Sequence, residues 1–269
     1  MKSFLLSCLM SSLSKKIRKN ILLSSHLSGH GHIPTSFSII EILIAVYKNL
    51  NRKKILKNSF DRDIFILSKG HAAIGYYCTL AELGFYKKNL MKTFGSAGSK
   101  FGCHPDRKKQ KFTEVSCGSL GHGLGVACGI ALASKIKKIN RKIICLVGDG
   151  ESNEGTIWEA ALVASDQRLN NLTILYDNNN SQTRCLQIKD PKKKFESFGF
   201  KTFFVDGHDE KKISSLIKLK TSKPKCIICN TKKGYGSKTL MNNFFEWHRR
   251  SPNKEELKLL TNEIDEKTI

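Results

Sequence analysis

The chain has 269 residues, 40% of them apolar and 26% charged, which suffices for one large buried core or two small ones and excludes disorder as a description of the whole. Only 5 prolines and 20 glycines, no repeat, and no apolar run of about 18 residues exclude collagen-like, solenoid and membrane-spanning chains. The net charge of +23 raises a polyanion partner, yet the basic residues are scattered in short groups such as Lys15-Lys16 and Lys232-Lys233, without interleaved aromatics, and Lys outnumbers Arg 37 to 9. A solvated, lysine-rich surface that draws small anionic substrates is the expectation, with no nucleic acid and no membrane as partner.

At the N-terminus, Met1-Lys2 and the short apolar run 4–10 imitate a signal peptide, but Ser7 and Cys8 interrupt the run, and residues 1–14 read as an extension leading into a helix. Residues 36–50 carry Ser and Glu ahead of apolar positions at helical spacing, and 72–83, 120–139, 155–169 and 210–220 behave likewise. Five short runs rich in Ile, Val, Phe and Cys, at 63–67, 142–147, 172–176, 202–205 and 225–229, predict buried parallel strands. This alternation implies an α/β fold, a mostly parallel sheet flanked by helices, as one domain over residues 15–253. Residues 254–269 form a charged tail, read as a surface helix or arm, and 94–115 is a polar, Gly-rich stretch long enough to be functional. Nine cysteines, mostly within apolar runs, indicate reduced, cytoplasmic usage. Cys226 and Cys229 have zinc-like spacing but no second pair, so no metal is expected there.

Ligands of open parallel sheets bind beyond the carboxyl ends of the strands, which directs attention to two turns. The strand ending at Val147 runs into Gly148-Asp149-Gly150-Glu151-Ser152-Asn153-Glu154-Gly155 at a helix start. Glycines there let a diphosphate approach backbone N–H groups, and a carboxylate among them implies a bridging cation. The next strand ends in Asp177-Asn178-Asn179-Asn180-Ser181 at the same edge. Asp149, the Asn179 amide oxygen and the Ser181 carbonyl thus form a candidate oxygen set for Mg²⁺ or Ca²⁺, the remaining sites falling to a diphosphate.

With these turns in view, residues 15–253 resemble the thiamine-diphosphate-binding half of the transketolase family. The resemblance rests on Gly31-His32 with Ser36 and Ser38, Ser68-Lys69-Gly70-His71, Gly102-Cys103-His104-Pro105, Gly118-Ser119-Leu120-Gly121-His122-Gly123, the Gly148 turn with Glu154, Asp206-Gly207-His208-Asp209, and Glu246-Trp247-His248, in that order. It implies thiamine diphosphate and Mg²⁺ (or Ca²⁺) as cofactors and transfer of a two-carbon ketol unit between sugars or sugar phosphates. It also implies that His32, His71, His104 and His248 face donor and cofactor, and that Gly118, Leu120, Gly148, Asp149, Gly150, Glu154 and Asn179, with His71 and His248, hold the cofactor. Gly118 would allow close approach and Leu120 would pack on the pyrimidine; Glu154 resembles a family glutamate at a subunit contact.

The run Gly29-His30-Gly31-His32 offers two registers; His32 is preferred because Ser36 and Ser38 then follow at the family spacing, and the choice between His30 and His32 stays open. Pro34-Thr35 stands where the family usually has Gly-Gly, and His122 where it usually has Gln, while His208 reads as structural. The family's pyrimidine-binding domain, with the glutamate that promotes cofactor deprotonation, has no counterpart here. The chain is therefore expected to be the N-terminal subunit of a split transketolase, inactive alone, needing a C-terminal partner and assembling as a homo-dimer or hetero-tetramer. Competing expectations are a subunit of a 1-deoxyxylulose-5-phosphate synthase-like enzyme and a non-catalytic polyanion-binding protein.

Overall fold

The computed structural model describes residues 10–184 and 186–266; the start of the expected N-terminal extension, Cys8, Cys185 and the last three residues lie outside this range. Five strands, β1 (Ile64–Leu67), β2 (Ile143–Gly148), β3 (Leu172–Asn178), β4 (Lys201–Asp206) and β5 (Lys225–Asn230), form one sheet in the order β1-β2-β3-β5-β4. Every neighbouring pair is parallel. The runs of β1, β2, β3 and β5 are covered on both faces and so read as continuous buried strands, whereas β4, expected to be buried, is an edge strand that alternates, with Lys201, Phe204 and Asp206 exposed.

Alternation along each strand divides the core in two. Phe65, Leu67, Ile144, Leu146, Leu175 and Ile227 face a layer made by α1 (Ser12–Ser28), α2 (Ile33–Phe37), α3 (Ile40–Asn49), α4 (Arg52–Leu56) and α5 (Ala73–Glu82). Ile64, Ile66, Ile143, Cys145, Ile174 and Ile228 face α6 (His122–Ile136), α7 (Gly155–Asp166) and Phe195 of α8 (Pro191–Ser197). Cys226 and Cys229, three apart in β5, consequently point to opposite faces and cannot converge on one ion. The first layer is completed by α9 (Glu210–Lys218), α10 (Lys238–Asn242) and α11 (Lys254–Asp265). Residues beyond Pro252 are thus no loose arm: α11 opens with an Asn253–Glu256 capping box and buries Leu260 and Ile264 in the common core.

One expected helix is divided. Residues 36–50 form the end of α2 and all of α3, broken at Ser38, whose hydroxyl donates to the Thr35 carbonyl and to Asp177 Oδ2 at 3.0 and 2.9 Å. Lysine is also not confined to the surface: Lys69, Lys225 and Lys233 are buried, so the Lys232-Lys233 pair is only half solvated.

Candidate active site

The carboxyl ends of β1, β2, β3 and β5 open on one cavity of about 480 Å³, lined among others by Lys69, His71, Leu120, Gly148, Asp149, Gly150, Asn179, Ser181, Lys233 and His248. Asp149 sits there because the last β2 residue pairs with Asp177, and its own N–H donates to the Asp177 carbonyl at 3.1 Å. Its side chain is buried; Oδ1 accepts from Gly150 N–H at 2.7 Å, and Oδ2 has no partner. Burial and the Asp177 carboxylate push the Asp149 carboxyl up to about 6. A buried carboxylate oxygen without a donor, beside a second carboxylate, is an arrangement a cation relieves.

Asn179 is oriented from behind. Its amide N–H₂ donates to Asp177 Oδ2 at 2.7 Å and to Ser38 Oγ at 3.3 Å, which turns Oδ1 forward to accept from Ser181 N–H and Oγ at 3.0 and 2.5 Å. Asp177 anchors the whole group. It is completely buried, paired with the Lys69 ammonium and accepting from the Thr231 hydroxyl, so four loops meet on one side chain. Glu151 does comparable work on the other side, accepting from Ser68 Oγ at 2.5 Å, Gly121 N–H at 2.9 Å and Gly148 N–H at 3.0 Å. The Gly148 and Gly150 N–H groups, expected from sequence to face a diphosphate, are therefore engaged by Glu151 and Asp149. Lys233 supplies positive charge in their stead, burial bringing its ammonium down to about 8.

Beside the cavity the four predicted histidines converge. Ring centroids lie 5.0 Å apart for His32–His71, 5.1 Å for His32–His248, 5.3 Å for His71–His104 and 6.3 Å for His71–His248. Burial, then the neighbouring rings and Arg249, brings His32 down to about 3; burial with His104, His248, Lys69 and Arg249 brings His71 to about 4. Burial also lowers His104 and His248, so the cluster is neutral near pH 7 and each ring offers one donor and one acceptor. His30 lies outside it, exposed and edge-on to Phe94 at 6.3 Å.

Of the remaining candidates, Leu120, Gly148, Gly150 and Ser181 line the cavity. Gly118 sits against the His104 ring instead. Glu154 is exposed, stands at the N-cap position of α7 without a capping hydrogen bond and packs beside Gly121, outside the cavity lining; the glutamate inside is Glu151. His208 is structural, with Nδ1 against Glu41 Oε2 at 3.2 Å and Nε2 accepting from Lys232 N–H at 2.9 Å. Sequence reading missed the roles of Lys69, Glu151, Asp177 and Lys233, and assigned nothing to Arg184 and Phe245. The available signal was a charged residue in the last two positions of a buried strand or within three positions beyond its end.

Residues 14–264 match the family model for the transketolase thiamine diphosphate binding domain. The chain belongs to the transketolase family. Within it, the chain is 38% identical over 256 residues to one of the subunits of the apulose-4-phosphate transketolase of Actinobacillus succinogenes, covering 92% of each. It is 35% identical over 230 residues to the 6-deoxy-6-sulfo-D-fructose transketolase subunit SqwG of Clostridium sp., covering 82% of this chain and 84% of that one. The solved Campylobacter jejuni transketolase superposes with a TM-score of 0.81 at 26% identity over 94% of this chain but only 42% of its own. This transketolase chain thus corresponds to less than half of a continuous one and, nearly end to end, to subunits of split ones.

Proposed function

We propose that this chain is the diphosphate-binding subunit of a two-subunit transketolase, which moves a two-carbon ketol unit from a ketose to an aldose once joined by a second polypeptide carrying the pyrimidine-binding domain. The observation that carries this reading is the unpartnered, buried Asp149 oxygen in the cavity that Asn179, His71 and His248 also line, with the rings of His32 and His104 packed against that of His71. Among the described residues no group of three or more His, Cys, Asp or Glu could hold a metal unaided. One carboxylate, one amide and backbone oxygen instead suit a hard cation such as Mg²⁺ or Ca²⁺ whose shell a diphosphate completes. Asp149, Asn179 and the Ser181 carbonyl would hold that cation, with Lys233, His71 and His248 around the diphosphate and Leu120 against the rings. When bound, thiamine diphosphate supplies the electron sink for the two-carbon unit. His32 and His104, kept neutral, would orient sugar hydroxyls and carry their protons.

The relatives named above act, by name, on apulose 4-phosphate and 6-deoxy-6-sulfo-D-fructose, which supports a phosphate- or sulfonate-bearing sugar here. Seven cysteines among the described residues are free thiols, all of them within or against the two cores, which supports a reducing, cytoplasmic setting. No described helix is long and apolar enough to cross a membrane. The test is reconstitution. The chain mixed with its partner subunit, thiamine diphosphate and Mg²⁺ should transfer the ketol unit from a ketose phosphate to an aldose. Failure of transfer with calorimetrically intact cofactor binding would overturn the reaction while leaving the binding site.

A further inference from the structure

Behind the histidine cluster lies a second recess of about 210 Å³, lined by His30, Gly31, His32, His71, Ile74, Phe94, Cys103 and Arg249. It shares His71 with the main cavity, so the same ring forms a wall of both. None of its lining residues is acidic, and its volume equals that of about seven waters.

Two adjacent arginines meet different fates at its edge. Arg250 is neutralised by Glu246 at 2.6 Å and by Glu256. Arg249, one residue earlier, makes no hydrogen bond or ion pair among the described residues, although its backbone is firmly placed. His32 N–H donates to the His248 carbonyl at 3.0 Å, Trp247 is buried, and a Cβ on Gly31 would overlap the Arg249 carbonyl group. His32 Nε2, in the same recess, is buried without a partner. A guanidinium held beside neutral imidazoles, with no carboxylate to satisfy it, is half of a charge-assisted pair whose other half comes from outside the chain.

We infer that Arg249 is a specificity-determining residue that reads a phosphate or sulfonate carried by the sugar, at the rim of the recess formed with His30, His32 and Cys103. This deepens the ketol-transfer reading and rests on it for the sugar, but not for the anion. Arg249 is exposed enough to swing toward a bound molecule, and the planar fork suits a tetrahedral oxyanion in two-point contact. It would add binding equally in ground and transition states, so its effect belongs in KM rather than kcat.

The experiment compares wild type, Arg249→Gln and Arg249→Lys, each assembled with the partner subunit, on a phosphorylated ketose, a sulfonated ketose and a neutral ketose. For Arg249→Gln the preference in kcat/KM for the anionic over the neutral ketose should fall about tenfold or more through KM, and Arg249→Lys should restore part of it. Loss confined to the phosphorylated or to the sulfonated ketose identifies the group read. An equal fall on all three ketoses, or no change, overturns the inference. Separately, inorganic phosphate titrated into the full chain should shift the histidine ring proton resonances in wild type and not in Arg249→Gln. That arm needs no turnover: a shift that depends on Arg249 without ketol transfer sinks the reaction and keeps the anion site, and a shift indifferent to Arg249 sinks the site.

Discussion

Asp149 costs the ligand-free chain stability for the same reason that it suits a cation: its carboxylate is 1% exposed, one oxygen lacks a donor, and Asp177 lies close enough to raise it. Replacing it by Asn removes the charge and keeps the shape. Asp149→Asn should stabilise the ligand-free chain at neutral pH by about 1–3 kcal/mol in urea titrations, while weakening thiamine diphosphate by about a hundredfold or more in calorimetry with Mg²⁺. Asn179→Ala should weaken the cofactor less, a neutral amide contributing less than a carboxylate, and gain no stability. His32 has the same sign of linkage as a salt-bridged acid, since both bind a proton less readily folded than unfolded, but it acts in a higher pH window. In the folded chain its ring stays neutral down to about 3, whereas an unfolded histidine protonates near 6.5. Between those values the unfolded chain binds the extra proton, so this contribution is intact above pH 6.5 and stability falls as pH drops below it. His32 also has φ 66°, a left-handed conformation that Asn tolerates. His32→Asn should therefore fold, and the decline of its urea midpoint from pH 7 to pH 5 should be shallower than in wild type.

Secondary-structure elements are tied to the site through one buried ion pair. Arg18 of α1 pairs with Glu41 of α3 at 2.7 Å, donates to the Phe37 carbonyl of α2 at 2.9 Å and to the Tyr235 carbonyl at 2.7 Å. Arg18 holds Glu41 far below the carboxylate range although burial alone would raise it, and His208 adds to the effect. Arg18→Met would strand that charge, and a loss of about 3–5 kcal/mol in urea melts is expected, together with loosening of the loop that carries Lys233. None of this was legible from periodicity. The strands and most helices were, because a continuous apolar run or a helical stripe records burial locally, and the Asp149 and Asn179 turns were, because strand ends are fixed by those runs. The inward turn of a charged residue is set by a partner far away in sequence. Lys69 meets Asp177 across 108 positions, and the break between α2 and α3 comes from Ser38 reaching Asp177 across 139. Glu154 was singled out through the family resemblance, and the hydrogen bonds from Ser68, Gly121 and Gly148 show that Glu151 is the glutamate that braces the cavity.

At the scale of the whole molecule, the site is open on the side away from the sheet, and the outer surface of the α6–α7 layer is apolar. Val126, Ile136, Leu162 and Val163 are 41%, 71%, 58% and 48% exposed, and a Cβ on Gly125 or Gly129 would meet nothing within 4 Å. Side chains of this kind on neighbouring helices form a patch that water disfavours, and self-association through it is the expected outcome. Glu154, exposed at the start of α7, lies beside it. Self-association through this face is a separate event from completion of the cofactor site by the partner polypeptide, and the two can be separated experimentally. Val126→Asp combined with Leu162→Asp should shift the purified chain toward monomer in sedimentation velocity without changing its urea midpoint by more than about 0.5 kcal/mol, the ordinary range for surface positions. Wild-type chain alone, oligomeric or not, should show no ketol transfer, because among the described residues the acidic side chains that line its cavity, Asp149 and Glu151, both sit at the diphosphate end. Adding the partner subunit should bring activity to wild type. With the double variant, activity should appear at the same partner concentration as in wild type, since the partner polypeptide and not a second copy of this chain completes the cofactor site. Full activity of the wild-type chain free of every other polypeptide would refute the split-subunit assignment, and a double variant that sediments as wild type would move the self-contact to another face.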